Sequence, residues 1–175
     1  MNVRSDVEQR AQAYLKRWGI VEPPVDVTEL VRLEGIELVF SRSKGMESGF
    51  ALSEGFRRVI GVNSLEAPRR QRFTIGHELG HLDMHNERGL TVDQSVRVFK
   101  RDEVSSMASD SQEIEANAFA AALLMPQSFL HQIVPEVLKT VSGGRDQLIS
   151  ALAKRFDVSV QAMGYRLINL GMLSP

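Results

Sequence analysis

The chain has 175 residues, 43% of them hydrophobic and 25% charged, with a formal net charge of −1. This predicts one domain, or one domain with a small appendage, and the near-balanced charge does not suggest a dedicated nucleic-acid or membrane binder. Cysteine is absent, which excludes disulfides and thiolate metal sites, and no apolar run approaches the roughly 20 residues of a membrane span.

Val7, Ala11, Tyr14, Leu15 and Trp18 recur at helical spacing, so a helix is expected from Asp6 to Trp18, stopped by Gly19. The start of the chain lacks the apolar core of a secretion signal, and a cytoplasmic protein is expected. Pro23-Pro24 breaks the chain. Val27, Leu30, Val31 and Leu33 predict a second helix with Asp26 or Thr28 near its start, closed by Gly35. A strand over 36–40 follows, then a polar loop over 41–49. Phe50-Ala-Leu52 and Arg57 to Val62 read as a hairpin with a glycine-containing turn. An unpaired outer strand there could bind an extended peptide, which makes Phe50 and Leu52 candidate substrate contacts; an ordinary protected edge is the alternative. Arg69, Arg70 and Arg72 form a basic cluster, a solvated face in the plain reading, with Arg72 the candidate for substrate contact.

Asn63 or Ser64 could open the next helix, with Pro68 in its first turn. That helix carries Phe73-Thr-Ile-Gly-His77-Glu78-Leu-Gly-His81-Leu-Asp-Met-His85. Residues four apart share a helix face, so His77 and His81 can aim two imidazoles at one ion, with Glu78 beside an open coordination position. Three of the four histidines lie here at four-residue steps, which favours a metal site over an incidental polar face. His85 is a poor third ligand, because a straight helix carries it roughly 12 Å from His77 along the axis. A second histidine pattern of the metzincin kind is excluded by Met84 and Glu87.

Residues 86–110 read as a long connection, with a candidate strand at 95–99. A strongly helical segment then runs over 112–125, starting at Asp110 or Ser111 and closed by Pro126, with another helix over 127–134. Its Glu113 is the best third ligand. Asn117 sits one turn on, on the same face, where it can hydrogen-bond a ligand histidine. Glu115 lies about 200° around the helix and cannot face the same point.

His77-Glu-Leu-Gly-His81, followed by Glu113-Ile-Glu-Ala-Asn117-Ala-Phe-Ala-Ala-Ala-Leu-Leu-Met-Pro126, resembles the ImmA/IrrE family of metallo-endopeptidases. The resemblance implies an α+β fold, a mostly helical gluzincin-like peptidase with a small sheet. It also implies zinc on His77, His81 and Glu113, and Glu78 as the catalytic glutamate. The substrates it implies are helix-turn-helix repressors, cut to derepress mobile elements, phage or stress genes. Some relatives sit beside toxin or antitoxin genes. Oxyanion stabilisation has two candidate donors, His131 and Tyr165.

Ser142-Gly143-Gly144 is the clearest boundary, giving a peptidase domain over 1–141 and a C-terminal helical module over 145–175. Leu148, Ile149, Leu152, Ala153 and Phe156 mark one helix; Ser159 caps a second over 160–170, closed by Gly171. The pair has helix-turn-helix form. The exposed surface expected of its second helix, Gln161, Tyr165, Arg166 and Asn169, offers one cation, which favours packing or partner docking over DNA reading. The competing reading of the whole chain is a non-catalytic, metal-containing regulator that binds DNA or a partner, in a toxin-antitoxin setting for example.

Overall fold

The computed structural model describes residues 3–42, 47–85, 89–94 and 103–174. The element order is α1 (Val3–Arg17), α2 (Val27–Leu33), β1 (Glu37–Ser41), β2 (Glu47–Glu54), β3 (Arg57–Asn63), α3 (Pro68–Met84), β4 (Gly89–Gln94), α4 (Glu103–Leu124), α5 (Gln127–Leu138), α6 (Gly144–Phe156) and α7 (Val160–Asn169). The fold is α+β. Two compact units divide it: Asp26–Ala120, and Met1–Val25 together with Ala121–Pro175.

The first of these units holds the sheet, in the order β1-β3-β2-β4. β3 is central, and its Val59-Ile-Gly-Val62 run is buried, as a strand covered on both faces requires. It pairs antiparallel with β2, placing Phe50 beside Gly61, and parallel with β1, placing Val39 beside Gly61. β2 begins at Glu47, so the polar stretch before Phe50 continues the strand instead of ending a loop. The outer neighbour of β2 is β4, which lies inside the segment read from sequence as a connection. The candidate strand at 95–99 lies outside the described residues. Helix α4 starts at Glu103, seven or more residues ahead of the expected Asp110 or Ser111.

Local chemistry explains the helix starts. Asp26 caps α2 by accepting from the Glu29 amide at 3.0 Å. Pro68, not Asn63 or Ser64, opens α3; the Asn63 side chain instead accepts from the Leu65 amide in the preceding turn. α3 packs on β2 and β3, and α2 packs on α3 and β1.

The second unit is helical. Val7, Ala11, Tyr14 and Leu15 form the buried stripe of α1. α5 continues past the expected Val134 to Leu138, with Pro135 inside it. α6 buries the five residues predicted for it, and Ser159 caps α7 by accepting from the Ala162 amide. Arg166 corrects the surface expected of α7. It is buried, makes a bidentate pair with Glu8 of α1 (Nη2 to Oε2, 2.9 Å), and donates to the Met125 carbonyl at 2.9 Å. The guanidinium is committed to holding helices together. Among the described residues, no helix is long and apolar enough to cross a membrane.

Candidate metal centre

α3 turns His77 and His81 to one side, and both rings are buried. Their Nε2 atoms lie 3.0 Å apart, with the rings edge to face. α4 brings Glu113 to the same point: Oε2 is 3.3 Å from His77 Nε2, and Oε1 is 3.5 Å from His81 Nε2. One ligand-type atom from each residue lies within 4.8 Å of the others. A tetrahedron with bonds of about 2.05 Å has edges of about 3.3 Å, so these spacings fit three corners around one divalent ion. Imidazole, imidazole and carboxylate are also a donor set suited to such an ion.

Electrostatics agree with that geometry. The Glu113 carboxyl is held well below the usual carboxylate range, first by its hydrogen bond with His77 and then by that with His81, against the opposing effect of burial. It is therefore an anion near neutrality. Asn117 Oδ1 lies 3.1 Å from His77 Nδ1. An amide oxygen only accepts, so Nδ1 carries a hydrogen, which leaves Nε2 as the nitrogen through which the ring could hold an ion.

Two glycines of α3 let α4 come this close. A Cβ on Gly80 would meet Ala116 Cα and Phe119 Cδ1 at 3.2 Å; one on Gly76 would meet Ala120 Cα and Cβ at 3.4 Å. Gly76 and Gly80 precede the two histidines, while Ala116 and Ala120 flank Asn117. Glycine at i and i+4 on one helix against alanine at i and i+4 on the other is a signal of this close approach that the sequence carries.

Glu78 is fully buried on α3. A Cβ on Gly49 would lie 3.1 Å from its Oε1 and 2.8 Å from the Gly61 carbonyl, besides meeting the Thr74 methyl, so β2 passes directly against Glu78. Since Gly49 faces α3, strand alternation turns Phe50 and Leu52 to the opposite face of the sheet. The Phe50 ring lies across Gly61 there. The candidate substrate contacts on β2 thus point away from the helix that carries the histidines. Arg72 is half-buried on α3, about one and a half turns before His77.

His85 stands outside the converging group, as the helical rise requires. Its Nε2 lies 3.1 Å from the Gln112 carbonyl, and its Nδ1 is 3.9 Å from Glu115 Oε2. His131 and Tyr165 are both exposed residues of the helical unit.

Residues 32–168 match the model of the IrrE N-terminal-like domain, a peptidase family. The chain is 32% identical over 151 residues to the radiation response metalloprotease IrrE of Deinococcus deserti, covering 86% of this chain and 49% of that protein. It is also 32% identical over 109 residues to the Deinococcus radiodurans protein of the same name, covering 62% and 30% respectively. The chain thus spans half or less of the length of these relatives. A solved structure described as a Mycobacterium tuberculosis transcriptional regulator shares the fold, with a TM-score of 0.66 at 19% identity over 94% of this chain and 46% of that one.

Proposed function

Because the chain belongs to the IrrE N-terminal-like domain family of peptidases, we propose that it is a zinc-dependent endopeptidase with His77, His81 and Glu113 as metal ligands and Glu78 as its general base. The observation that carries this reading is the convergence of two imidazole Nε2 atoms and one carboxylate, with spacings of 3.0–3.5 Å, from two different helices. Zinc in this place would supply Lewis acidity, for the scissile carbonyl and for a water whose pKa falls to about 7.

The chain's own groups supply the rest. Glu113 contributes negative charge at the site, and Asn117 fixes the ring orientation and tautomer of His77. Glu78 follows the first histidine and is buried against β2, where its carboxylate takes the proton of the attacking water and returns it to the leaving amine.

The substrate in this reading is a helix-turn-helix repressor, cut in the cytoplasm to relieve repression. The repressor comes from the ImmA/IrrE resemblance; the naming of the Deinococcus relatives as radiation response metalloproteases supports only a metalloprotease in a stress setting. DNA reading by α6 and α7 has no part in it, since Arg166 is spent on Glu8 and Met125. The test is Glu78→Gln, assayed with a repressor encoded beside the gene. Unchanged zinc content with cleavage lost supports the reading; cleavage by the variant at the native rate rejects Glu78 as the base.

A further inference from the structure

We propose that His85 is a positioning residue that locks α4 against α3 in the one register at which Glu113 meets His77 and His81. This rests on the metal-site reading above. Two observations on the His85 side chain carry it. The residue stands where α3 ends, its backbone amide donating to the His81 carbonyl at 3.1 Å. Its ring packs on the His81 ring, with centroids 5.3 Å apart. Its Nε2 reaches across to the Gln112 carbonyl at 3.1 Å, the residue immediately before Glu113.

A carbonyl only accepts, so His85 Nε2 carries the hydrogen and donates. That ties the ring to α4 through Nε2, in keeping with its place outside the converging group. Two of the polar ties across the seam flank Glu113 in the chain. His77 to Asn117 lies on one side of Glu113, and His85 to Gln112 on the other. The glycine–alanine contacts bring the helices close but are apolar, and tolerate sliding and rotation. The hydrogen bonds are directional and fix the register. With the His85 side chain 8% exposed, water has little access to replace the lost donor.

The experiment compares the wild type with His85→Leu, His85→Ala and His85→Gln. It measures Zn²⁺ and Co²⁺ affinity by chelator competition, the visible spectrum of the Co²⁺-loaded protein, and the thermal melt of the metal-free protein. The leucine and alanine variants should bind both metals about tenfold or more weakly, within the range for groups that orient ligands. Glutamine keeps an N–H donor and should stay within about threefold of wild type. At saturating Co²⁺ the spectrum of the leucine variant should match wild type, because no ligand has been removed. If the leucine and alanine variants do not fold, the glutamine variant decides: affinity within about threefold of wild type supports the inference, and binding about tenfold or more weaker overturns it. The inference is overturned if leucine or alanine binds as tightly as wild type, if glutamine is as weak as leucine, or if the saturated spectrum changes. A wild-type chain that takes up neither metal overturns the site reading beneath it, and this inference with it.

Discussion

Adding methyl groups to α3 where it meets α4 perturbs the site without touching a ligand. A methyl at position 80 would sit 3.2 Å from Ala116 Cα and from Phe119 Cδ1. Relaxed carbon pairs sit about 3.5–4.0 Å apart, so Gly80→Ala drives α4 outward by about 0.3–0.8 Å. The helix gains about 1 kcal/mol of propensity and loses about 1–3 kcal/mol to overpacking, a net loss of about 0–2 kcal/mol. Gly76→Ala meets Ala120 at 3.4 Å, a milder contact, so propensity should offset crowding there. Gly80→Val adds two further methyl carbons against Phe119, and should cost about 3 kcal/mol or more.

The same displacement reaches the site, because Ala116 lies three residues from Glu113. The 3.3 and 3.5 Å spacings to the imidazoles then stretch beyond the edge of a tetrahedron about one ion. Metal affinity should fall in the order wild type, Gly76→Ala, Gly80→Ala, Gly80→Val, by about tenfold at Gly80→Ala. Urea melts of the metal-free proteins give the stabilities, and chelator competition gives the affinities. If Gly80→Ala and Gly80→Val are both as stable as wild type and bind metal as tightly, glycine does not set this helix spacing and the reasoning is wrong.

Asn117→Ala removes the acceptor on His77 Nδ1 and should weaken metal binding about 10–100-fold, with the metal-free melt nearly unchanged; equal affinity would show that the 3.1 Å contact orients nothing. Glu8→Ala strands the buried Arg166 guanidinium and should cost about 3–5 kcal/mol, more than Arg166→Met, which leaves Glu8 with solvent access; urea melts giving the reverse order would contradict this. Acidification should release metal, because the ligands must be deprotonated to bind it, and zinc release followed with a chelating dye checks this. In the metal-free protein the Glu113 pKa lies below its unfolded value. Its contribution is therefore present in full above about pH 4.5 and is lost as pH falls toward the folded value. Urea melts of wild type and Glu113→Gln should differ more at pH 6 than at pH 3; a constant difference would show that Glu113 is not the group responsible.

What the sequence could disclose depended on how local the physics was. Helical spacing alone places His77 and His81 together, and a one-turn offset places Asn117 with Glu113. The caps Asp26 and Ser159 act through atoms three residues away, so they too were readable. Long-range choices were not. Nothing near Arg166 announces that it will pair with Glu8, 158 residues earlier in the chain. Phe50 and Leu52 depended on which face of β2 meets α3, and Gly49 decides that by fitting against Glu78. β4 hid in a polar stretch because its alternation is only two apolar residues long, Leu90 and Val92.

The claim on which the account turns is that α3 and α4 together hold one ion. The direct measurement is zinc content per chain after reconstitution and gel filtration, for the wild type and Glu113→Ala side by side. One equivalent is expected in the wild type, and well under one in a variant that still folds with the same helix content. A full equivalent retained by folded Glu113→Ala, or none taken up by the wild type, would contradict it.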